Sequence, residues 1–540
     1  MTVFRSKIDP KSAGFLKNRE EMLALVERME ELNARAPAMS AKRKDRFEKR
    51  GQLLPRERLA RLLDPGLPFL PIGNLSGYMT DTKDEKKSVP GSTLVAGIGY
   101  IAGTRCVITV DDSGIAAGAI KGGAGYKLDR CEKIALEQNL PFVHLVESAG
   151  GDLLNYTVEG FVIYGALFAN LARLSSAGIP TLAVLHGSST AGGAYMPGLS
   201  DYVVAVKGRG KAFLAGPPLL KAATGEVAND EDLGGAEMHA TVSGLAEYLA
   251  EDDADAMLIA REVMGRIRWN ESAVPGRTKP FDEPLYDIDE LVGVVPPDYR
   301  QPYDVREVVA RLVDGSDFTD FKPRFGPATV CAQASIYGQP CGIIGNNGPI
   351  DNAGAHKATQ FMQLLESAGH PIIFLQNTTG YMVGTQTERA GMIKNGSKMI
   401  QAVANVKVPR ITINIGASFG AGNYGMCGRG FDPDFLFTWP NAMTGVMGGE
   451  QAAKVMSIVA EDAAAAQGVE PNREALAMQE AALRHQFDSQ ADAFYTSGHN
   501  LDDGMIDPRD TRKVLGFLLD TVMEGRSREP NRLSFGVGRM

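Results

Sequence analysis

The chain contains two copies of one sequence unit, and this duplication limits the folds that it can adopt. The stretch HGSSTAGGAYMPG, from His186 to Gly198, has a second version, GASFGAGNYG, that begins at Gly416. Gly187 matches Gly416 and Tyr195 matches Tyr424, so both pairs are separated by the same offset. A near-constant offset over about 170 residues indicates an internal repeat. We therefore expect two similar domains in tandem.

The match continues upstream at similar offsets. KLDRCEKIALEQNLPFVHL from Lys127 aligns with KATQFMQLLESAGHPIIFL from Lys357 at nearly the same offset. At somewhat longer offsets, GTRCVITVDDSG from Gly103 aligns with GQPCGIIGNNGP from Gly338, and RERLARLLDPGLPF from Arg56 aligns with REVVARLVDGSDF from Arg306. A register of this kind distinguishes duplication from chance apolar similarity.

Each copy alternates short apolar runs with segments of helical period. RCVITV, PFVHLV and PTLAVL are typical of buried strands, and DRCEKIALEQ has the period of a helix. This alternation predicts an α/β fold with βαβ crossovers and loops at the strand ends. We expect an N-terminal helical segment over residues 1–50, a first domain over 51–283 and a second over 284–540, because a proline-rich linker separates the copies.

The composition argues against several classes of function. A net charge of −9 provides no general attraction to nucleic acid or to an anionic membrane surface, so we expect neither as a partner. The five cysteines and seven histidines lack metal-ligand spacing, so no metal site is expected. Neither a signal peptide nor a membrane-spanning apolar run is visible, which predicts a cytoplasmic protein. The segment Lys42–Arg61 holds nine basic and three acidic residues, and it forms either a solvated helix or a contact for phosphate or a partner.

In both copies an apolar strand runs into a small-residue loop and then a helix. This arrangement leaves backbone N–H groups free at the helix N-terminus, where they favour negative charge. Gly192 and Gly193 in the first copy, and Gly420 and Gly422 in the second, either provide such an anion site or only let the helix pack closely on the sheet. The loops ESAGGDL and QNTTGYMVG follow neighbouring strands and form either walls of a ligand groove or ordinary turns.

Taken together, these stretches resemble the carboxyltransferase β subunits of biotin-dependent acyl-CoA carboxylases, in the methylcrotonyl-CoA and geranyl-CoA branch. The resemblance is carried by LLPRERLARLLDPG, STAGGAYMPG, FLAGPPLLKAATGE, FLQNTTGYMVG, GASFGAGNYGMCGRGFDPDFLFTWPNA and DDGMIDPRDTRKVLG. They span nearly the whole chain after the N-terminal segment. The family implies two tandem crotonase-like (ClpP/crotonase) domains, in agreement with the duplication.

The resemblance implies that the enzyme moves CO2 from carboxybiotin to an acyl-CoA through enolate intermediates, with biotin acting as the base. The backbone N–H groups of Gly192 and Gly193 would bind the acyl thioester oxygen, and those of Ala421 and Gly422 would bind the ureido oxygen of biotin. Further residues implied on the acyl-CoA side are Ala149, Gly150, Ala191, Ala194, Asn346, Asn347, Gly348, Lys357 and Phe361. Those implied on the biotin side are Phe419, Gly420, Asn423, Thr379 and Gly380. Lys357 could equally be a solvent-exposed lysine at a helix start.

The resemblance also implies partners. The chain lacks an Ala-Met-Lys-Met biotin-attachment segment, so biotin would be carried by a separate α subunit with biotin carboxylase and biotin carrier domains. The family implies a β6 core within an α6β6 complex, with each active site formed by the first domain of one subunit and the second domain of another.

The acyl group of the substrate stays open. Ser189 stands where the methylcrotonyl pattern commonly has cysteine, ESAGGDLLNYTVEGF replaces an Asp-Ser-Gly-Gly loop, and WPNAMTGVMGGEQ lacks an arginine after NA. Ala169 stands where the branch often has a large aromatic residue, which would make room for geranyl. The alternatives are a saturated substrate such as propionyl-CoA or acetyl-CoA, a biotin-independent hydratase or isomerase that uses Glu147 and Asp152, and a non-catalytic assembly subunit.

Overall fold

The computed structural model describes residues 3–539 except 81, 153–156, 273–279, 469 and 471. Contacts within it delimit two compact units. One comprises Glu30–Gly276, Gly498–Asn500 and Thr521–Met540 and contains the first copy. The other comprises Met1–Met29, Arg277–Ser497 and Leu501–Asp520 and contains the second copy. Both units are discontinuous in sequence, whereas the domains at 51–283 and 284–540 are predicted as continuous segments. Residues 273–279, at the start of the predicted proline-rich linker, and residues 153–156 of ESAGGDLLNYTVEGF lie outside the described residues.

Three helices precede the first sheet: α1 (Ala13–Ala41), α2 (Lys44–Lys49) and α3 (Pro55–Leu62). Helix α3 begins with proline at its first position, where a missing N–H is harmless. The Glu57 carboxylate accepts a hydrogen bond at 2.9 Å from the N–H of Leu54, which caps the helix. Around α2 every basic side chain from Lys42 to Arg50 is exposed, and Phe47 alone is buried.

The first copy contains a seven-stranded sheet with helices between its parallel strands. The strands of this copy, including two outside the sheet, are β1 (Leu70–Pro71), β2 (Leu94–Ile101), β3 (Thr104–Asp111), β4 (Phe142–Val146), β5 (Thr181–Leu185), β6 (Ser188–Thr190), β7 (Tyr202–Val206), β8 (Lys211–Phe213) and β9 (Tyr248–Ala250). Its helices are α4 (Gly122–Glu137), α5 (Val158–Ser176), α6 (Tyr195–Gly198), α7 (Pro217–Thr224), α8 (Asp230–Gly234), α9 (Ala236–Met238) and α10 (Asp253–Ile267). The sheet order is β1-β2-β3-β4-β5-β7-β9, and β6 and β8 form a separate parallel pair.

Two short helices, α11 (Leu291–Val294) and α12 (Val305–Leu312), lead into the second copy. Its strands are β10 (Thr319–Asp320), β11 (Thr329–Ile336), β12 (Gln339–Asn346), β13 (Ile372–Thr378), β14 (Arg410–Phe419), β15 (Phe435–Thr438) and β16 (Met443–Gly445). The remaining helices are α13 (Asn352–Ala368), α14 (Thr385–Arg389), α15 (Met392–Asn405), α16 (Gly420–Gly425), α17 (Gly449–Ala466), α18 (Arg473–Ala491), α19 (Ala493–Gly498) and α20 (Thr511–Arg526). The sheet order is β10-β11-β12-β13-β14-β15, and β16 extends it beside β14.

Strand register repeats between the copies in the way that the sequence alignment predicts. Val107 of β3 lies opposite Phe142 of β4, and Gly342 of β12 lies opposite Ile372 of β13. In the alignment of the two copies, Val107 corresponds to Gly342 and Phe142 corresponds to Ile372. Since a slip of one residue would turn every side chain to the other face, the shared register requires a shared core pattern. The prediction of two α/β halves related by duplication is confirmed.

Each copy has its own apolar core between sheet and helices. In the first copy, Ile108, Leu145 and Val184 of adjacent strands pack against α10 residues such as Met257. In the second copy, strand residues such as Ile344 and Phe374 pack with the helix residues Phe361 and Met399. Each such side chain contributes about 1.5–3 kcal/mol by burial, which fixes the sheets and leaves the loops at their carboxyl edges to vary.

Candidate functional site

Two loops of the first copy meet at the carboxyl ends of β4 and β5. The loop after β4 contains Ala149 and Gly150, and the segment after β5 runs through β6 into a 3₁₀ turn, Ala191–Ala194. A Cβ atom on Gly150 would lie 2.7 Å from the carbonyl oxygen of Thr190, so the loops contact each other through bare backbone. This edge of a parallel sheet is the usual position of ligand sites in α/β folds.

Gly193 also lies where the first-copy loops are closely packed. A Cβ atom there would be 2.9 Å from Ser189 Oγ and 3.5 Å from Ser148 Cβ. Gly192 is half-buried, and Ala191 is exposed with a φ of +53°. The first N–H groups of a helical turn have no acceptor within it, and they favour negative charge. The turn therefore can present backbone donors to an oxyanion.

The second copy repeats this geometry at the ends of β13 and β14. β14 runs directly into α16, whose first residue, Gly420, has the same φ of +53°. Gly422 is buried, and a Cβ atom there would lie 2.8 Å from Gly380 Cα. Thr379 and Ala421 are exposed on the two loops. The structure thus brings together the small residues of each copy, which gives two candidate anion sites.

One hydroxyl group organises the first loop in each copy. Ser148 Oγ donates to the carbonyl oxygen of Gly118 at 2.8 Å and accepts from the N–H two residues later at 3.1 Å. Thr378 Oγ1, at the matching position of the repeat, lies 3.2 Å from the carbonyl oxygen of Gly348 and 3.1 Å from that of Gly380, to either of which it can donate, and it accepts from the N–H of Gly380 at 3.3 Å. The duplication therefore extends to side-chain hydrogen bonds of the loops.

Phe419 and Asn423, predicted on the biotin side, direct their side chains to contacts within the second copy. Phe419 is 2% exposed, and its ring packs edge-to-face on Tyr299 with 5.2 Å between centroids. Asn423 is half-buried and donates from Nδ2 to Ser418 Oγ at 2.7 Å. Both side chains support the loop from within.

Asn346, Asn347 and Gly348, predicted on the acyl-CoA side, lie beside the loop that contains Gly380. Asn346 is buried and its Oδ1 accepts from the N–H of Asn377 at 3.4 Å. Asn347 Oδ1 accepts from the N–H of Val305 at 2.7 Å. The carbonyl oxygen of Gly348 accepts from Thr378, so the segment supports the second-copy loop.

Lys357 and Phe361 lie in the core of the second copy. Neither has exposed surface, and Lys357 Nζ donates to the carbonyl oxygen of Lys322 at 3.3 Å. Lys127, its counterpart in the first copy, is 3% exposed and donates to the carbonyl oxygen of Leu94 at 2.6 Å. Burial lowers the pKa of both lysines, to about 8 for Lys127. This placement argues against direct contact of Lys357 or Phe361 with CoA.

A buried charge network, which the sequence patterns did not predict, lies beneath the first-copy loops. It consists of Arg58, Glu147, His186 and Asp253, each no more than 8% exposed. Arg58 donates to Glu147 at 2.6 Å and to Asp253 at 3.0 Å. His186 Nδ1 lies 2.8 Å from Asp253 Oδ1. One local feature of the sequence indicates that Arg58 is buried, because Arg58 shares a helical face with the apolar Leu59 and Leu62.

The network has a defined protonation pattern. Burial and the charge of Arg58 lower the pKa of His186, so its imidazole is neutral at pH 7. Burial opposes ionisation of Asp253, but the hydrogen bond from His186 and the charge of Arg58 lower its pKa to about 2. The ionised Asp253 only accepts, so Nδ1 of His186 carries the proton. Because Glu147 is committed to Arg58, it is not free to act with Asp152 as the carboxylate pair of a hydratase.

Three of the cysteines are unsuited to act as nucleophiles at neutral pH. All five cysteines are buried. Burial raises the pKa of Cys331, Cys341 and Cys427 to about 12, which keeps these thiols protonated. Within the described ranges, no group of three or more His, Cys, Asp or Glu side chains is arranged for a metal ion. No helix in the same part of the chain is long and apolar enough to cross a membrane.

Comparison with known proteins relates both copies to one family. The family described as "Carboxyl transferase domain" matches residues 46–534. The chain is 46% identical over 544 residues to the "Probable biotin-dependent acyl-coenzyme A carboxylase beta2 subunit" of Mycobacterium tuberculosis, with 100% of both chains covered. It is 43% identical to the Arabidopsis thaliana "Methylcrotonoyl-CoA carboxylase beta chain, mitochondrial", covering 92% of this chain and 84% of that relative.

A solved structure agrees with the fold. The crystal structure of the P. aeruginosa geranyl-CoA carboxylase β subunit is 51% identical in sequence, covers 100% of both chains and superposes with a TM-score of 0.94. The family match and the relatives extend over most of the chain, and they include both small-residue loops of each copy. The chain therefore belongs to the carboxyl transferase family, among the β subunits of acyl-CoA carboxylases.

Proposed function

We propose that this chain is the carboxyltransferase subunit that moves CO2 from carboxybiotin to a branched α,β-unsaturated acyl-CoA. The observation that carries the proposal is the matched pair of backbone sites, with Ala191 and Gly420 at the same φ of +53°. Two anion sites of one origin fit a reaction in which two carbonyl oxygens acquire negative charge. The family relationship supplies the reaction type.

In the first copy, the N–H groups of Gly192 and Gly193 bind the acyl thioester oxygen and stabilise the enolate of the substrate. One donor of this kind is worth about 3 kcal/mol in known oxyanion holes. Small side chains around them let the substrate reach the backbone. Ala149 and Ala191 are exposed and provide this surface, whereas Gly150 and Ala194 are buried.

In the second copy, the N–H groups of Ala421 and Gly422 bind the ureido oxygen of biotin. Bound biotin carries the carboxyl group and supplies the base for the substrate proton. The loops fit this ligand because Thr379 and Ala421 are exposed, while Gly380 and Gly422 permit close backbone approach. Phe419, Gly420 and Asn423 hold the loop in place.

The substrate in this proposal is 3-methylcrotonyl-CoA or geranyl-CoA. The relatives named as methylcrotonoyl-CoA and geranyl-CoA carboxylase β chains support such an acyl group. Ala169 is half-buried on α5, next to Phe168, whose ring would lie 3.5 Å from a Cβ atom on Gly192. A small side chain on this helix favours the longer geranyl group.

The chain acts in complex with a biotin-carrying α subunit, and six β subunits form the core of an α6β6 assembly. Both repeat copies within the chain expose apolar side chains near the start of corresponding helices. Phe161 and Val162 of α5 are 70% and 67% exposed, and Ile393 of α15 is 78% exposed. Surface of this kind is typical of an interface, which supports a homo-oligomer.

A substrate panel on the reconstituted complex tests the proposal. We expect kcat/KM for methylcrotonyl-CoA or geranyl-CoA to exceed that for propionyl-CoA and acetyl-CoA by about tenfold or more, a discrimination within the range of apolar pockets. The control is the chain without its biotin-carrying partner, which should not carboxylate any substrate. A preference for a saturated acyl-CoA would contradict the substrate assignment, and hydration of acyl-CoA without the partner would support a hydratase.

A further inference from the structure

The two loops of the acyl-CoA side begin at residues of the buried charge network. Glu147 directly follows β4, which ends at Val146, and His186 directly follows β5, which ends at Leu185. The two starting points also contact each other, because a Cβ atom on Gly187 would lie 2.7 Å from the Glu147 carboxylate. Both loops are therefore joined to the network at their first residues.

The network connects these starting points to two helices outside the loops, α3 and α10. Arg58 of α3 bonds to Glu147 at 2.6 Å and to Asp253 of α10 at 3.0 Å, and Asp253 accepts from His186. Gln52 Nε2 adds a hydrogen bond at 3.1 Å to the carbonyl oxygen of His186. We propose that Arg58, Glu147, His186 and Asp253 are positioning residues that hold the loops Glu147–Gly151 and His186–Ala194 in the geometry that acyl transfer requires. This role rests on the proposed function.

The second copy forms similar loops without such a network. Val308, Asn377 and Ile415 stand at the repeat positions of Arg58, Glu147 and His186. Asn377 Oδ1 accepts from the N–H of Ala417 at 3.2 Å, and it fills the space beside Gly416 that the Glu147 carboxylate fills beside Gly187. The fold therefore does not require buried charges at this place.

Buried ion pairs are a poor way to gain stability alone. Replacing them with uncharged residues of similar volume is often neutral or stabilising. Here two buried polar atoms, Arg58 Nη2 and His186 Nε2, lack a hydrogen-bond partner among the described residues. An ion pair does fix the orientation of its two side chains relative to each other. This matters for catalysis, because a displacement of about 1 Å in a reacting geometry can lower a rate about 100-fold. The network is thus better explained by positioning than by stability.

The test compares two buried ion pairs in the full chain, assembled with its biotin-carrying partner. The double variant Arg58→Met with Glu147→Gln removes both charges of the network pair. The control, Arg311→Met with Glu307→Gln, removes a similarly buried pair of the second copy, joined at 3.0 Å. We expect the network variant to lose about 10-fold to 100-fold in kcat/KM for acyl-CoA, while its KM for free biotin stays within about twofold of the wild-type value. The control variant should keep both constants within about twofold of the wild-type values. Equal losses in the two variants, or full activity in the network variant, would overturn the proposal.

Two further measurements keep the test decisive if the double variant folds poorly or if the substrate assignment fails. His186→Asn keeps a donor for Asp253, whereas His186→Leu removes it, so the Asn variant should retain several-fold more activity than the Leu variant.

Hydrogen exchange provides a second measurement, because it does not depend on turnover. We expect exchange in 147–151 and 186–194 to accelerate about tenfold or more in His186→Leu, with 379–384 and 420–425 unchanged. Unchanged exchange in the first-copy loops would refute positioning, whereas an inactive wild-type complex would refute only the proposed function.

Discussion

Asp502 is an ionisable residue in surroundings that disfavour its charge. Burial raises the pKa of its carboxyl group to about 6, although hydrogen bonds from Ser497 Oγ at 2.5 Å and the N–H of Gly504 at 3.0 Å stabilise the charged form. Because the pKa of Asp502 in the folded chain lies above the ordinary value of 3.8, protonation of this carboxyl group stabilises the fold. Its contribution to the free energy of unfolding is complete below pH 3.8 and is lost as the pH rises through 6.

We therefore expect Asp502→Asn to weaken the pH dependence of folding. Between pH 5 and pH 8 the free energy of unfolding should fall by roughly 1 kcal/mol less in the variant than in the wild type. Chemical denaturation at the two pH values measures this difference. Asp289→Asn, at an exposed position of the same unit, serves as the control and should follow the wild type. Identical pH dependence in Asp502→Asn and wild type would contradict the burial argument.

Single residues also show where local sequence stops being informative. The close packing at Gly193 and Gly422 could be predicted, because a small residue at matched places of a repeat has few explanations. Arg58 could not, because its partner Asp253 is 195 positions away and only the fold brings the two together. Lys357 is ambiguous in sequence, since a lysine at a helix start is usually solvated, and the structure resolves it as a core residue.

Among the structural elements, the loop after β4 depends on one hydroxyl group. Ser148→Ala removes the bonds from Oγ to Gly118 and from the N–H of Gly150 to Oγ, each worth about 1 kcal/mol. We expect KM for acyl-CoA to rise about tenfold in steady-state assays, with KM for free biotin unchanged. Ser200→Ala removes a similarly buried hydroxyl that donates at 2.8 Å to Met196, outside the loop, and should leave both constants unchanged. A rise in KM for biotin alone would contradict the assignment of this loop to the acyl group.

The longer elements could be predicted, and the short ones could not. Apolar runs and helical periods indicate β3, β4, β5 and α4, because each buries a regular face against its neighbours. The pair β6 and β8 has three residues in each strand and pairs Ser188 with Lys211, which no local period indicates. Helices α7 to α9 follow glycine-rich and acidic sequence, and tertiary contacts decide their position.

For the whole molecule, the two copies should have separable kinetic roles. In Gly193→Ala the new Cβ atom would lie 2.9 Å from Ser189 Oγ, and in Gly422→Ala it would lie 2.8 Å from Gly380 Cα. We expect Gly193→Ala to reduce kcat/KM for acyl-CoA, and Gly422→Ala to reduce kcat/KM for free biotin in the reverse reaction, each about 100-fold.

Open glycines nearby provide matched controls for this experiment. Gly198 and Gly430 have no atom within 4 Å of an added Cβ, so Gly198→Ala and Gly430→Ala should retain wild-type constants. If both site variants impaired the same substrate equally, the division of labour between the copies would be wrong.

The whole fold was predictable to the extent that it repeats. The correspondence of Val107 with Gly342 and of Phe142 with Ile372 in the sequence reappears as strand register, so two copies constrain each other more than one copy could. The discontinuous units were not predictable, because the grouping of Gly498–Asn500 and Thr521–Met540 with the first copy depends on tertiary packing.

The matched lysines inside the two copies bear on the history of the molecule. A buried lysine is energetically worse than an apolar residue of the same size, and independent acquisition of Lys127 and Lys357 at one repeat position would be improbable. We infer from this that the lysine was present in the single copy before the duplication. The two copies have since diverged in the groups that accept its hydrogen bond, which are the carbonyl oxygen of Leu94 for Lys127 and that of Lys322 for Lys357.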